Sequence, residues 1–226
     1  MVHTFNSKLL KKEVLTEDVF KFVFSCPKEF EFEAGQFINI KIEKDDESRR
    51  RSYSILNSPN KKEVLELCIK IVQDGFASGS FNNSKVGDIY EIKGPFGHFS
   101  FDKETNLDHW FIATGTGVTP FYSMLQEYLN TKKNIVLLFG AKTKKDLLFH
   151  EEFESLEKTN SNFKYIPTIT RETWKGKTGR VQLHLPENLT NKIFYICGLK
   201  ELVIETEALL LEKGVLKENI RKERYS

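Results

Sequence analysis

Cysteine is scarce in this chain, with three among 226 residues. Cys26, Cys68 and Cys197 are far apart, and no pair has the close spacing of a zinc or iron–sulfur site, so we expect no metal centre. An odd, scattered set is also unsuited to a disulfide framework. The cysteines therefore favour a reducing compartment.

Long apolar runs and blocks of like charge are also missing. No stretch approaches the ~20 apolar residues that span a bilayer, and residues 1–10 lack the apolar core of a signal peptide. The 34 basic and 32 acidic residues leave a net charge of +2, which does not indicate nucleic-acid binding. We expect a soluble, cytoplasmic protein that binds neither nucleic acid nor membranes. A monomer is favoured, with the oligomeric state otherwise open.

The first part of the chain, as far as about residue 101, has the pattern of β-strands. Apolar residues recur with a partial period of two near residues 20–24, 37–42 and 64–69. Turn clusters rich in Gly, Pro and Asn separate these segments. Several short strands of this kind predict an antiparallel β-barrel.

The second part alternates short apolar strands with helices. Strands are expected at residues 109–113, 134–141, 163–170 and 192–197, and helices at 119–130, 147–156 and 199–213. This alternation predicts an α/β doubly wound parallel sheet. We therefore expect two domains, residues 1–102 and residues 103–226, joined near the polar segment 102–108.

One glycine-rich loop in the second part has the composition of a phosphate-binding turn. Gly115-Thr116-Gly117-Val118-Thr119-Pro120 follows directly after the first strand of the α/β pattern. Glycines allow the backbone to approach a pyrophosphate, Thr119 is a good N-cap, and Pro120 suits the first helical position. The free amides of the helix would then face the anion. By itself the loop is equally compatible with a tight turn that binds nothing, because proline replaces the third glycine of the usual fingerprint.

Several further motifs occur in the order typical of one known family. They are Arg51-Ser52-Tyr53-Ser54, Gly75-Phe76-Ala77-Ser78, the segment from Gly94 to Phe99, the loop from Gly115 to Pro120, Cys197-Gly198, and Glu223-Arg224-Tyr225. Over nearly its whole length the chain resembles the ferredoxin–NADP reductase superfamily. The resemblance implies a barrel that binds a flavin and an α/β domain that binds a nicotinamide nucleotide.

The resemblance also assigns the flavin-binding residues. Arg51 would pair with a phosphate, Tyr53 would contact the ring and a ribityl or ribose oxygen, and Ser54 would lie near N5. Ser52 belongs to the same motif, and Gly75 and Ser78 would hold the flavin phosphates. Without the other motifs, Tyr53 is equally a strand aromatic and Arg51 a surface charge. The resemblance implies FAD rather than FMN.

A second set of residues would hold the nicotinamide nucleotide. The pyrophosphate would lie on Thr114, Gly115, Thr116, Gly117 and Pro120. By resemblance, Cys197, Gly198 and Glu223 would adjoin the nicotinamide, and Tyr225 would cover the flavin ring until nicotinamide displaces it. Ser54, Cys197 and Glu223 would act by positioning, with no covalent intermediate. Arg171 and Arg180 would grip a 2′-phosphate, which favours NADPH over NADH.

The electron acceptor is expected to be a separate molecule, because the chain has no iron–sulfur, haem or flavodoxin-like segment. Ferredoxin or flavodoxin is our first choice, with Arg49, Arg50, Arg51, Lys142, Lys144 and Lys145 as docking cations or as solvated charges. Three alternatives stay open. They are a free-flavin or quinone reductase, the reductase component of a multicomponent oxygenase or other complex, and a flavin-binding protein without activity.

Overall fold

The computed structural model describes residues 1–225, and the chain divides into two compact units. The first unit comprises Met1–Phe101 together with Thr119–Glu127, and the second comprises Asp102–Val118 together with the chain from Tyr128 onward. Each unit has its own six-stranded sheet. No helix among the described residues is long and apolar enough to cross a membrane.

The first unit is the antiparallel barrel that the strand pattern predicted. Its sheet has the order β4-β3-β6-β1-β2-β5, and every pairing is antiparallel. The strands are β1 (His3–Val14), β2 (Val19–Ser25), β3 (Phe37–Lys44), β4 (Glu47–Ser54), β5 (Val64–Lys70) and β6 (Ile89–Phe96). A bridge between Ile55 and Leu67 brings the two edge strands together. The sheet is thereby nearly closed, which leaves little unpaired edge.

The alternation of apolar residues explains how the barrel fills its interior. Phe22 and Phe24 on β2 and Ile38 and Ile40 on β3 are fully buried, two residues apart, as a strand with one face inward requires. The short helix α1 (Ser78–Asn83) adds Phe81 to the same core. α1 thereby lies against the interior of the barrel, directly after the Gly75 loop.

The second unit contains the predicted parallel sheet. Its order is β10-β9-β8-β7-β11-β12, with all pairs parallel. The strands are β7 (Asp108–Thr114), β8 (Ile135–Ala141), β9 (Phe163–Ile169), β10 (Lys177–Thr178), β11 (Lys192–Leu199) and β12 (Ile220–Tyr225). The central strands β7, β8 and β11 are almost continuously buried, as expected for strands covered on both faces.

Three helices follow strands of this sheet, with bounds that differ in places from those predicted. They are α2 (Thr119–Tyr128), α3 (His150–Thr159) and α4 (Lys200–Glu212). α3 begins at His150 rather than near residue 147, because a separate 3-10 turn, Lys144–Asp146, comes first and the left-handed backbone of Phe149, with φ +57°, interrupts the helical path. A second 3-10 turn, Gly115–Val118, leads directly into α2, so Thr119 is already helical instead of being the N-cap.

Candidate functional site

The Arg51-Ser52-Tyr53-Ser54 motif forms the end of β4, an edge strand of the barrel. Ser54 is buried, Arg51 and Tyr53 are half-buried, and Ser52 is exposed, where its hydroxyl donates to Asn39 Oδ1 at 2.7 Å. The Tyr53 ring meets the Phe81 ring edge-on, with 5.5 Å between centroids. Burial raises the pKa of Tyr53 although the Arg51 charge opposes the shift, so the phenol stays a neutral hydrogen-bond donor.

The fold brings this motif against the Gly75-Phe76-Ala77-Ser78 loop. The guanidinium carbons of Arg49 and Arg51 lie 4.4 Å and 5.4 Å from the centre of the Phe76 ring. Both arginines project from β4 two residues apart, so they share one face of the strand. Two motifs 24 residues apart in sequence (51 to 75) therefore form one surface.

The loop itself is held in shape by Ser78. The Ser78 hydroxyl accepts a hydrogen bond from the Val72 amide at 2.9 Å. A Cβ on Gly75 would lie 2.7 Å from the same oxygen, so a larger residue there would have to displace the Ser78 hydroxyl. The hydroxyl proton of Ser78 is not consumed by that bond and remains available to an oxygen of a bound anion.

These residues fit a flavin with a phosphate chain. The hydrogen bond found for the Arg51 side chain goes to the Arg50 carbonyl, at 3.0 Å, and no carboxylate within residues 1–225 forms a salt bridge with it. Arg49 pairs with Glu47 and Arg50 with Glu91, so Arg51 is the member of the arginine run whose charge is left for a ligand. A guanidinium is permanently charged and offers a fork of donors to a phosphate.

In the second unit the glycine loop lies at the carboxyl end of β7. Gly115 has φ +54°, and a Cβ added there would meet no atom within 4 Å, so its backbone is open. Gly117 is different, because a Cβ there would lie 2.3 Å from the carbonyl oxygen of Cys197. One glycine thus leaves room above the turn, and the other allows the turn to pack against β11.

The order of the strands places this loop where α/β sheets bind nucleotides. The sheet runs outward in one direction from β7 to β8 and in the other from β7 to β11, so the order reverses between β7 and β11. Ligands of open α/β sheets bind at the carboxyl ends of the strands on either side of such a reversal. Here those ends carry Thr114-Gly115 and Cys197-Gly198. The fit to a dinucleotide rests on this position and on the open backbone of Gly115.

Cys197, Glu223 and Tyr225 are brought together by the pairing of β11 with β12. Cys197 is the direct register partner of Glu223, and the Cys197 thiol is hydrogen-bonded to the Tyr225 side chain. Burial raises the pKa of Cys197 well above its ordinary value, and the negative charge of Glu223 raises it further. The thiol is therefore neutral at physiological pH. Tyr225 lies in the paired strand β12. The other predicted residues, Thr114, Thr116 and Pro120, belong to or adjoin the glycine loop after β7.

Arg171 and Arg180 leave the same edge of the sheet at the same level. Thr178 on β10 is paired with Ile169 on β9. Arg180 and Arg171 each lie two residues beyond this pair. The two arginines are exposed, and Arg180 forms a salt bridge of 2.8 Å with Glu205 on α4. Glu205 was missed in the sequence, where it is one of several glutamates in a helical segment. Phe76, which lies under two arginines, was missed as well.

Comparison with known proteins agrees with the two units. Residues 6–101 match the family "Oxidoreductase FAD-binding domain" and residues 111–207 match the "Oxidoreductase NAD-binding domain". Ferredoxin–NADP reductase B of Sorangium cellulosum is 32% identical over 212 residues, which cover 88% of this chain and 87% of that protein. The xylene/toluene monooxygenase electron transfer component XylA of Pseudomonas putida is 29% identical over 225 residues, and the matched region covers 63% of its length.

A solved structure supports the fold at lower identity. The ferredoxin NADP+ reductase from Neisseria gonorrhoeae with bound FAD and NADP matches with a TM-score of 0.88 and 23% identity, over 98% of each chain. Fold and site define an oxidoreductase with one flavin-binding and one nicotinamide-nucleotide-binding part. The chain belongs to the ferredoxin–NADP reductase superfamily.

Proposed function

We propose that this protein transfers electrons between NADPH and a separate one-electron carrier, ferredoxin or flavodoxin, through bound FAD. The observation that carries the proposal is the open turn at Gly115, at the reversal point of the parallel sheet and beside Cys197-Gly198. The FAD-binding and NAD-binding family matches and the reductase relative support it. The assigned domains, residues 1–102 for FAD and residues 103–226 for the nucleotide, belong to the proposal, as does a cytoplasmic location.

In the barrel, the proposed residues bind and orient the flavin. Arg51 pairs with its phosphates, with the Phe76 ring beneath the guanidinium. Gly75 and Ser78 hold the phosphate chain, and Ser52 stabilises β4 through Asn39. Tyr53 offers a ring face and a neutral hydroxyl, and Ser54 places its hydroxyl near the reacting nitrogen. The flavin supplies the chemistry by accepting a hydride and releasing single electrons.

In the second unit, the loop from Thr114 to Gly117 binds the pyrophosphate through backbone amides, and Pro120, which has no amide hydrogen, follows this loop in the chain at the start of α2. Cys197, Gly198 and Glu223 orient the nicotinamide, which is a role in positioning. A neutral Cys197 thiol suits that role and excludes a resting thiolate nucleophile. The covering of the flavin ring by Tyr225 stays a prediction from the family resemblance. Arg171 and Arg180 bind the 2′-phosphate, which favours NADPH over NADH.

The first experiment is an absorption spectrum of the purified protein, followed by anaerobic titration with NADPH and, separately, NADH. We expect flavin bands that one equivalent of NADPH bleaches, at lower concentration than NADH. A colourless protein that takes up neither FAD nor FMN would contradict the proposal.

A second assay identifies the acceptor. Reduced ferredoxin or flavodoxin should form under anaerobic conditions, with NADPH in excess, and turnover should fall as salt is raised, since docking cations steer an acidic carrier. Arg49 and Arg50 are paired with carboxylates, so Lys142, Lys144 and Lys145 are the better candidates for that docking surface.

A second candidate function is the reductase component of an oxygenase. The likeness to XylA favours it, although the matched region covers 63% of that protein. A chain that reduces neither ferredoxin nor flavodoxin but co-purifies with an oxygenase subunit would support this function. A free-flavin or quinone reductase would turn over small acceptors at full rate without any protein carrier.

A further inference from the structure

The salt bridge between Arg180 and Glu205 lies where the proposed function requires a free cation. Arg180 Nη1 and Glu205 Oε2 are 2.8 Å apart, and the Gln182 side chain also reaches the same carboxylate oxygen, at 3.5 Å. Both partners are accessible, with side-chain exposures of 71% and 47%. A ligand therefore has access to either partner of this pair.

The carboxylate is held in place by the fold of the second unit. Glu205 lies in the middle of α4, and its neighbour Thr206 is fully buried, so the helix is fixed against the sheet at this point. Arg180 follows β10 and a glycine with φ +96°, Gly179, whose amide donates to Ile169. The salt bridge thus connects two well-defined backbone positions.

Each partner favours a different nucleotide. A guanidinium pairs with a 2′-phosphate, whereas a carboxylate accepts a hydrogen bond from the 2′-hydroxyl of a ribose that carries no phosphate. A phosphate that binds Arg180 must displace Glu205, and the displaced carboxylate stays close enough to repel it. A ribose hydroxyl meets no such repulsion.

We propose that Glu205 is a specificity-determining residue that reduces the enzyme's preference for NADPH over NADH. The inference rests on the proposed function, since it takes Arg180 as a ligand of the 2′-phosphate. Glu205 forms the salt bridge with Arg180 when no phosphate is present, and its negative charge repels the phosphate when NADPH binds. The same carboxylate leaves NADH usable.

The test is Glu205→Gln, which keeps the shape of the side chain and removes its charge. An exposed ion pair is weak, so we expect the ratio of kcat/KM for NADPH to that for NADH to rise roughly two- to fivefold. The gain should lie in KM for NADPH. The dissociation constant of 2′-phospho-AMP, a probe that carries the 2′-phosphate without the nicotinamide, should fall by a similar factor.

Glu201→Gln is the matched control, because Glu201 lies one turn earlier on the same helix and forms no salt bridge within residues 1–225. It should leave both the ratio and the 2′-phospho-AMP affinity as in the wild type. If Glu205→Gln folds with a wild-type melting curve and changes neither quantity, or if Glu201→Gln changes both equally, the inference is overturned. A wild-type protein that neither nucleotide reduces would instead contradict the proposed function.

Discussion

Replacing Gly117 with alanine tests the packing of the nucleotide loop. The added Cβ would lie 2.3 Å from the Cys197 carbonyl oxygen and 2.7 Å from both the Cys197 carbonyl carbon and the Gly198 Cα. All three are backbone atoms of a buried central strand, so the loop must move instead. Overpacking of a tight site costs about 1–3 kcal/mol, and rigid neighbours place this change near the upper value.

The expected result is a large loss of stability confined to the second unit. At about 4 °C per kcal/mol for a domain of this size, Gly117→Ala should lower the melting temperature of that unit by roughly 8–12 °C. Calorimetry of the flavin-free protein would resolve the change. Titration of the flavin-loaded protein with NADPH should also show weaker binding, because the loop amides shift with the backbone.

Gly115→Ala is the matched control for the same loop. Its Cβ would meet no atom of the chain, so the cost is that of a left-handed conformation, about 1 kcal/mol. This variant should stay nearly as stable as the wild type and still bind NADPH more weakly, because the new methyl group would project into the proposed site of the pyrophosphate. A wild-type melting temperature for Gly117→Ala, or wild-type NADPH affinity for Gly115→Ala, would contradict these expectations.

The remaining predictions concern the flavin site, the linker and alkaline pH. Arg51→Ala should weaken FAD about 10- to 100-fold, read as flavin fluorescence released on dilution, while Arg50→Ala, which removes a charge already paired with Glu91, should not. Arg221→Met removes the partner of the half-buried Asp102 carboxylate and should cost about 1–2 kcal/mol in urea unfolding; a double-mutant cycle with Asp102→Asn that adds without coupling would contradict it. Burial raises the pKa of Cys68 from 9.0 to about 12. Because the pKa of Cys68 is higher in the folded than in the unfolded state, the thiol contributes to the free energy of unfolding. This contribution is intact below pH 9 and is lost as pH rises from about 9 to about 12. Between pH 8 and pH 10, the free energy of unfolding of Cys68→Ala should therefore fall by about 1 kcal/mol less than that of the wild type. Equal decreases in the two proteins would refute this.

The sequence predicts the two folds well because each uses a simple periodicity. Alternating Phe22 and Phe24 predict an inward face, and continuous apolar runs such as residues 135–139 predict strands covered on both sides. The strand β12 could not be predicted from such a periodicity. Residues 220–225 are mostly charged and half-exposed, and they form β12 only because β11 offers them a backbone to pair with. Edge strands commonly carry such charges, and by composition alone they resemble a solvated tail.

In the candidate site, too, some residues can be recognised from the local sequence, whereas others depend on long-range contacts. Motifs whose chemistry lies in consecutive residues, such as the loop from Gly115 to Gly117, are recognisable in the chain itself. Glu205 cannot be recognised in this way, because its role depends on Arg180, 25 residues away in the sequence. The two side chains meet only because the helix faces the loop that carries Arg180. Phe76 is similar, since it acquires a role only when β4 places two arginines over it.

The surroundings of Cys197 indicate what kind of chemistry the second unit performs. A thiol prepared for nucleophilic attack lies beside a cation or a base that lowers its pKa. Cys197 lies instead in a fully buried strand, opposite the carboxylate Glu223, and both raise its pKa. The hydrogen bond to Tyr225 opposes that shift without reversing it. Such a group holds its proton at neutral pH, so it is not a thiolate nucleophile. This agrees with the proposal that the second unit contributes orientation and charge recognition and that the redox chemistry belongs to the two cofactors.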